Sequence, residues 1–210
     1  MSATRETILR RAIEAFAAHG FEGTSTANIA RQCGVTQPLV HYHFASKENL
    51  WREAVDLLFS EVRAAFGQVP PEDADKSPRD VLRAFMRRFV HQCAHRPEIA
   101  QIVLREGTHR NPRFDWLVER HLSPLIAGVS ELFTASLPRD TTTVMPPLHI
   151  VFVAMGGANL LFSAPAFFEA LAGRSPTEAS IVEAHADAMV AVLDRIMGPP
   201  VGFVEPAVRD

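Results

Sequence analysis

Cysteine is scarce in this sequence. Only Cys33 and Cys93 occur among its 210 residues, and neither belongs to a CxxC pair. Two isolated thiols exclude a disulfide framework, so we expect both to be small core residues in a reducing compartment. We also expect no signal peptide, because Met1–Arg11 carries charges where an apolar core would be needed. We therefore expect a cytoplasmic protein.

One long stretch contains no charge. Residues 141–168 include no Asp, Glu, Lys or Arg, and about 20 apolar residues suffice to span a bilayer. Pro146, Pro147, His149 and Asn159 interrupt this stretch, however. We expect a buried helix at a subunit interface, and no membrane association.

Strand alternation and internal repeats are absent as well. Apolar residues recur at helical spacing almost throughout the chain, which predicts an all-α fold. The pattern favours a three-helix head over residues 1–46, a connecting helix over 47–66, and a larger helical body over 67–210. We expect one long helix from Pro112 to Leu137 to be kinked by Pro124. An apolar stripe from Ile8 to Ala17 is expected on the first helix, and Ser77 is expected to cap a helix that begins at Pro78. Another helix is expected from Pro147 to Phe162, and the last from a capping box at Ser175–Glu178 to Gly198.

The charge is unevenly distributed. The net charge of −3 does not by itself indicate a partner, but residues 1–52 hold six Lys and Arg against four Asp and Glu, which gives +2. The remainder holds fifteen against twenty, which gives −5. A basic head on an acidic body suits a protein that contacts DNA through one end only.

The most informative segment is residues 24–50, TSTANIARQCGVTQPLVHYHFASKENL. Its pattern predicts a short helix, a tight turn at Gly34, and a second helix over Gln37–Phe44 capped by Thr36. Ser46 is expected to cap the helix that follows. A DNA-reading helix-turn-helix needs this short scaffold helix and a second helix slim enough for the major groove.

Lys47 lies in the first turn of the connecting helix, where a positive charge is unfavourable in the field of the helix dipole. Its presence there indicates an anion outside the protein.

This segment resembles the tetracycline-repressor (TetR) family of bacterial regulators. The resemblance rests on Thr26, Ile29-Ala30, Gly34-Val35, Phe44 and Lys47-to-Leu50, and it is specific over roughly residues 5–55. It implies an all-helical homodimer that binds double-stranded operator DNA and a small-molecule effector, and that acts as a repressor. Ser25 and Thr26 would touch phosphate, Gln37, Leu39 and His41 would face bases, and Tyr42, His43 and Lys47 would fasten the DNA backbone.

Two positions depart from the family. The family usually has tyrosine in place of His41, and often glycine or another small residue in place of Pro38. Both residues are nevertheless among the expected DNA contacts, since they lie on the helix expected to enter the major groove. The docking mode is therefore implied by the resemblance, whereas the preferred base sequence is not.

Histidines raise the question of metal binding. His41 and His43 are two residues apart and point to different sides of a helix. His91 and His95 share a face at four-residue spacing and could form half of a zinc site, which His109 or His121 would have to complete. No nucleophile motif such as GxSxG occurs, so we expect no catalytic residue, no metal and no cofactor.

The body carries a set of aromatic residues that we expect to line an apolar ligand pocket. We expect a hydrophobic or aromatic effector. The polar groups that would orient it belong to Arg105, His109, His121 and Asn159. The expected lining residues are Phe85, Phe89, Arg105, His109, Trp116, His121, Phe152, Asn159 and Phe162.

Small residues on the last two long helices indicate a dimer interface, because they allow helices from two subunits to approach closely. These residues are Gly156, Gly157, Ala184, Ala188 and Ala191. Two alternatives remain open at this point. One is a helical ligand- or metal-binding protein without operator recognition, and the other is a helical enzyme.

Overall fold

The computed structural model describes residues 3–66, 76–136 and 146–198. Every regular element within these ranges is helical, so the predicted all-α fold is confirmed. The helices are α1 Ala3–Gly23, α2 Thr26–Gln32, α3 Gln37–Phe44, α4 Lys47–Phe66, α5 Pro78–His95, α6 Glu98–Glu106, α7 Pro112–Leu117, a π-helical turn Val118–Leu122, α8 Ser123–Ser136, α9 Pro147–Ser163, α10 Pro165–Ala172 and α11 Ala179–Met197.

The chain folds into two compact units. Unit 1 comprises residues 1–69 and 96–122, and unit 2 comprises residues 70–95 and 123–210. The sequence places the whole of 67–210 in one body, but the structure groups α6, α7 and the π turn with the N-terminal helices. Helical periodicity shows that a helix has an apolar face and does not show which helix covers it, which is why this grouping was not predicted.

Unit 1 is built around α1 and α4. The predicted apolar stripe of α1 is buried throughout, from Ile8 to Ala17. Leu50, Trp51 and Leu58 of α4 are equally buried. Arg96 just before α6 pairs with Glu61 of α4, and the Trp116 ring of α7 lies 5.5 Å from the Trp51 ring. These contacts explain why residues 96–122 fold with the N-terminal segment.

Unit 2 packs α5, α8, α9 and α11 around one apolar cluster. Leu82 and Met86 of α5 are buried there, together with Phe133 of α8 and Phe162 of α9. Ser77 caps α5 as the sequence predicts, since its Oγ accepts from the Asp80 N–H at 3.2 Å.

Two helix boundaries differ from the predictions. The segment predicted as one long helix is divided by the π turn, and α8 then begins one residue before Pro124. Proline lacks the N–H of a regular helix, and a widened turn next to it accommodates that loss. The last helix begins at Ala179 because Ser175–Glu178 forms a separate turn, in which the Glu178 carboxylate accepts from the Ser175 N–H at 3.1 Å. Leu137 lies outside the described residues.

Helix α10 was not predicted. Ala164 separates it from α9 with φ −126° and ψ 62°, outside the helical region, which a residue before proline tends to avoid. Among the described helices, none alone has the length and apolar composition to cross a bilayer. Only α9 and α10 taken together do, and they are bent by 76° at the break between them.

Candidate nucleic-acid interface

Helices α2 and α3 form the predicted helix-turn-helix. Gly34 adopts φ 67° in the turn, a conformation that glycine reaches without strain. The Val35 N–H donates to the Ala30 carbonyl at 3.0 Å and closes the turn. Val40 and Phe44 point inward from α3 and are buried. Thr36 occupies the N-cap position of α3, but its side chain accepts no capping bond, contrary to the prediction.

The outer face of α3 presents polar and aromatic groups. Gln37, Pro38 and His41 are exposed, and Tyr42 is 82% exposed. The other two predicted contact residues on this helix, Leu39 and His43, are half-buried. The Tyr42 ring stands edge-on to the His43 ring at 5.4 Å. The face available to a partner is therefore narrower than the one predicted.

A cleft of about 380 Å³ lies where α2, α3 and α4 begin. Five of the nine residues predicted to touch DNA line it, while Ser25 is exposed at the N-cap of α2. The sequence did not indicate Val40 or Ser46 as lining residues. The full lining is Thr26, Gln37, Pro38, Val40, His41, Ser46 and Lys47. Since the N-termini of α3 and α4 meet at this cleft, their N–H groups and helix dipoles favour an anion there.

Lys47 forms one wall of the cleft. Its Nζ donates to the Glu22 carbonyl at 3.4 Å and lies 4.6 Å from the centre of the Phe21 ring. Ser46 caps α4 as predicted, since its Oγ accepts from the Asn49 N–H at 3.1 Å. The ammonium has three donors, so the single bond to Glu22 leaves capacity for an anion in the cleft.

Both cysteines are free. Burial raises the pKa of the Cys93 thiol to about 12, and it also raises the pKa of Cys33, which is half-buried. Thiols with raised pKa values are poor nucleophiles. Cys93 is a core residue as expected, whereas Cys33 is only half-buried and lies outside the buried core.

The predicted ligand residues of unit 1 have internal partners. The Arg105 guanidinium donates to the Ala17 and Ala18 carbonyls at 2.9 and 2.8 Å, and exposed His109 contacts Thr108. Trp116 packs against Trp51. The sequence could not reveal these contacts, and the expectation that Arg105 and His109 orient an effector stays a prediction.

His121 is buried and lies beside polar side chains of α4. Its Nδ1 lies 3.1 Å from Arg63 Nη1, and because a guanidinium can only donate, Nδ1 accepts and the ring proton lies on Nε2. That Nε2 is 2.9 Å from Asp56 Oδ1, and the ring stacks on Phe59 at 4.6 Å. Burial lowers the pKa of His121; Asp56 opposes this effect, and Arg63 and Arg120 add to it. His121 is thus a structural residue of unit 1.

The predicted ligand residues of unit 2 occupy different environments. Phe85 and Phe89 stack on each other at 6.1 Å and are half-buried against the core. Phe162 is a core residue, and Asn159 Nδ2 donates to the Met155 carbonyl of its own helix at 3.0 Å. Phe152, in contrast, is 67% exposed. Phe85 and Phe89 are the pair whose position still suits an apolar ligand.

His91 and His95 of α5 belong to no metal-binding cluster of three ligands among the described residues. His91 Nε2 lies 3.3 Å from Glu183, and His95 is exposed. Within residues 3–66, 76–136 and 146–198, no group of three or more His, Cys, Asp and Glu side chains could hold a metal ion.

The five residues predicted at the dimer interface are all exposed. They lie on α9 and α11, which are joined where His185 Nε2 meets the Gly157 carbonyl at 3.0 Å. The sequence missed the large apolar side chains beside them, because nothing in helical periodicity separates an exposed apolar face from a buried one. These are Leu148, Phe152, Val153, Leu160 and Val192, which are 47–67% exposed.

Comparison with known proteins identifies the N-terminal segment and the fold. Residues 8–54 match the family model described as bacterial regulatory proteins, tetR family. The regulator YerO of Bacillus subtilis is 30% identical over 83 residues, or 40% of this chain and 29% of YerO. The regulator RutR of Escherichia coli K12 is 24% identical over 157 residues, which cover 73% of this chain and 71% of RutR.

The fold also matches solved regulators. AibR, crystallised in complex with isovaleryl coenzyme A and operator DNA, superposes with a TM-score of 0.68. That match covers 90% of this chain and 97% of AibR at 21% identity. The relatives and the fold neighbours are transcriptional regulators, not enzymes. The helix-turn-helix segment therefore matches the tetR family of bacterial regulatory proteins, and the fold is shared with solved transcriptional regulators.

Proposed function

We propose that the protein is a homodimeric regulator of transcription that binds a two-fold symmetric operator and releases it when an apolar small molecule binds. The observation that carries this proposal is the cleft at the start of α2, α3 and α4, where Gln37, His41 and Lys47 converge. The proposal makes the protein a repressor.

Recognition of DNA is assigned to two kinds of contact. Gln37 and His41 present exposed donors and acceptors suited to base edges in the major groove. Lys47 supplies a point charge for phosphate, and Ser25 and Thr26 supply hydroxyls at the start of α2. Tyr42 is proposed to fasten the backbone beside the groove. That AibR was crystallised with operator DNA supports this mode for a chain of the same fold.

Dimerisation is assigned to the exposed face of α9 and α11. These two helices carry five large apolar side chains that are 47–67% exposed, and exposed apolar surface of this kind marks an interaction site when it is gathered in one patch. The five small residues on the same two helices would let the helices of two subunits approach closely. Two recognition helices related by a two-fold axis then require an inverted repeat in the DNA.

The effector is assigned to unit 2 and to the stacked Phe85 and Phe89 pair. These rings favour an apolar or aromatic ligand over a sugar or a phosphate. Such a ligand changes DNA affinity only if it binds two conformations of the protein with different affinities, by a coupling of about 1–3 kcal/mol. AibR, which was crystallised with isovaleryl coenzyme A, provides an example of a fold neighbour with an acyl ligand.

Selection of bound duplexes from random DNA tests the operator directly. We expect the purified protein to enrich an inverted repeat whose half-sites lie about 34–36 Å apart, one helical turn. Enrichment of sequences without an inverted repeat would contradict the dimeric docking mode. Failure to retain any duplex at low salt would contradict DNA binding itself.

A thermal-shift screen tests the effector. A ligand that binds only the folded state raises the melting temperature by mass action, so apolar and aromatic compounds are expected to stabilise the protein and to weaken its complex with the selected duplex. Substitution of Phe89 by Ala should reduce the stabilisation. If only polar anions or divalent metal ions stabilised the protein, the apolar effector would be contradicted, and His91 and His95 would become the first residues to test.

A further inference from the structure

The end of α1 contains a break that exposes its backbone. Gly20 adopts φ 70° inside the helix, which releases carbonyl groups of the preceding turn. Two of them, those of Ala17 and Ala18, accept from the Arg105 guanidinium of α6. Thr24, which is buried, donates its hydroxyl to the Gly20 carbonyl at 2.7 Å and holds the chain after the break. The short segment from Gly20 to Thr24 is therefore fixed from both sides.

Phe21 lies in this segment, and two positively charged side chains contact its ring. The Arg113 guanidinium carbon of α7 is 3.8 Å from the ring centre, and Lys47 Nζ is 4.6 Å from it. The ring itself stacks on Phe16 at 6.0 Å and meets the edge of Trp51 at 6.5 Å. Aromatic faces attract cations at such distances. A ring anchored in the core thus contacts the one lysine of the proposed DNA site.

Arg113 is anchored independently of Lys47. Its Nε lies 3.4 Å from the Glu106 carboxylate, which is only 6% exposed. Its Nη2 lies 3.7 Å from Glu22 Oε1. Glu22 also supplies the carbonyl that Lys47 binds. Arg113 therefore touches both of the groups that hold Lys47, the Phe21 ring and residue Glu22.

We propose that Phe21 and Arg113 are positioning residues for the phosphate contact of Lys47. This inference rests on the proposed DNA-binding function. A free lysine side chain loses rotamer entropy when it is fixed, and prior ordering reduces this cost at binding. The Phe21 ring holds the ammonium at the wall of the cleft, and Arg113 fixes the ring. One neutral carbonyl is the hydrogen-bond acceptor of Lys47, so the other donors remain for phosphate.

The experiment measures binding of a labelled duplex of mixed sequence by the full-length protein over a range of salt concentrations. Phe21→Leu keeps an apolar side chain but removes the ring face, whereas Phe21→Tyr keeps the face. We expect Phe21→Leu to weaken binding by roughly two- to fivefold per subunit, and Phe21→Tyr to bind like the original protein. Arg113→Gln should weaken binding in the same direction.

The decisive comparison uses a Lys47→Met background. If Phe21 and Arg113 act through Lys47, neither Phe21→Leu nor Arg113→Gln weakens binding further once Lys47 is replaced. Arg110→Gln is the matched control, because Arg110 lies just before α7 but pairs only with Asp115 among the contacts of the described residues. It should leave binding unchanged in both backgrounds.

Three results would overturn the inference. Losses from Phe21→Leu that persist in full with Lys47→Met would show a general structural effect. If Lys47→Met binds DNA normally, Lys47 makes no phosphate contact that Phe21 and Arg113 could position. DNA binding through other residues would still stand. Absence of any binding by the original protein would overturn the proposed function together with the inference.

Discussion

At the residue scale, Gln37 and Lys47 line one cleft but carry different chemistry. Lys47→Ala should weaken binding to every duplex and reduce the log–log salt slope by about one unit per subunit, because one phosphate contact is lost. Gln37→Ala should instead relax preference at one base position per half-site, with about 1–3 kcal/mol of discrimination lost. Salt titrations on the selected duplex and on its single-base variants separate these effects. Equal changes of sequence preference in both variants would contradict the division of roles.

Residues of the helix-turn-helix could be placed from the sequence because their contacts are local. Gly34 needs a positive φ, and Val40 and Phe44 follow helical spacing, so their positions follow from the chain itself. Arg105 and His121 could not be placed in this way. Their partners, Ala17 and Asp56, are 88 and 65 residues away, counted as 105 − 17 and 121 − 56, and no local pattern reports such pairs.

At the element scale, the π turn Val118–Leu122 carries His121, which is buried and lies beside half-buried Asp56 and exposed Arg63. Burial lowers the pKa of His121 from its usual value of 6.5, so the folded state binds fewer protons than the unfolded chain. The contribution of His121 to the free energy of unfolding is therefore expected to be fully present above pH 6.5 and to fall as the pH drops below that value. Denaturant titrations between pH 8 and pH 5 measure this dependence.

His121→Gln should be less stable at pH 8 but show a shallower loss on acidification. His185 contributes in the same direction, since burial lowers its pKa too. The double variant His121→Gln/His185→Gln should therefore lose stability on acidification even less steeply. His109→Gln is the control for an exposed histidine and should retain the original dependence. An unchanged pH dependence in the double variant would show that these histidines do not control acid stability.

The helix ends show what local signals can and cannot predict. Ser77 and Ser46 cap α5 and α4 as expected, because a cap is a contact between near neighbours. The turn at Ser175–Glu178 has the residues of a capping box, and its reciprocal bond forms, but the helix starts later. The same side-chain bond closes an isolated turn as well as a helix start, so the sequence could not distinguish the two.

At the scale of the whole molecule, the exposed face of α9 and α11 is the proposed dimer interface. Ala188→Glu adds a charge to this face, and burying an unpaired charge is costly. We expect a helical monomer that has also lost operator binding. Sedimentation measures the oligomeric state, and circular dichroism measures the helical content. The matched control is Ala127→Glu, at an exposed position of α8, which should remain dimeric. Gly157 is a poorer site, because an added Cβ would lie 3.0 Å from Met189 Cε of its own subunit.

A dimeric mass for Ala188→Glu would place the interface elsewhere. The composition of the face was visible in the sequence as an uncharged stretch, but its exposure was not. Apolar residues on a helix are buried by the same chain or by another with equal ease, and the exposed fractions of Phe152 and Leu160, 67% and 60%, distinguish these cases only in the folded structure.

Hydroxyl-radical footprinting on the selected duplex is the strongest test of operator binding by a dimer, because it reports where the two α3 helices touch DNA. We expect two protected patches on one face of the duplex, about one helical turn apart and related by two-fold symmetry. Lys47→Ala should weaken both patches equally. A single patch, or uniform protection without a boundary, would contradict a dimer that reads its operator through α3.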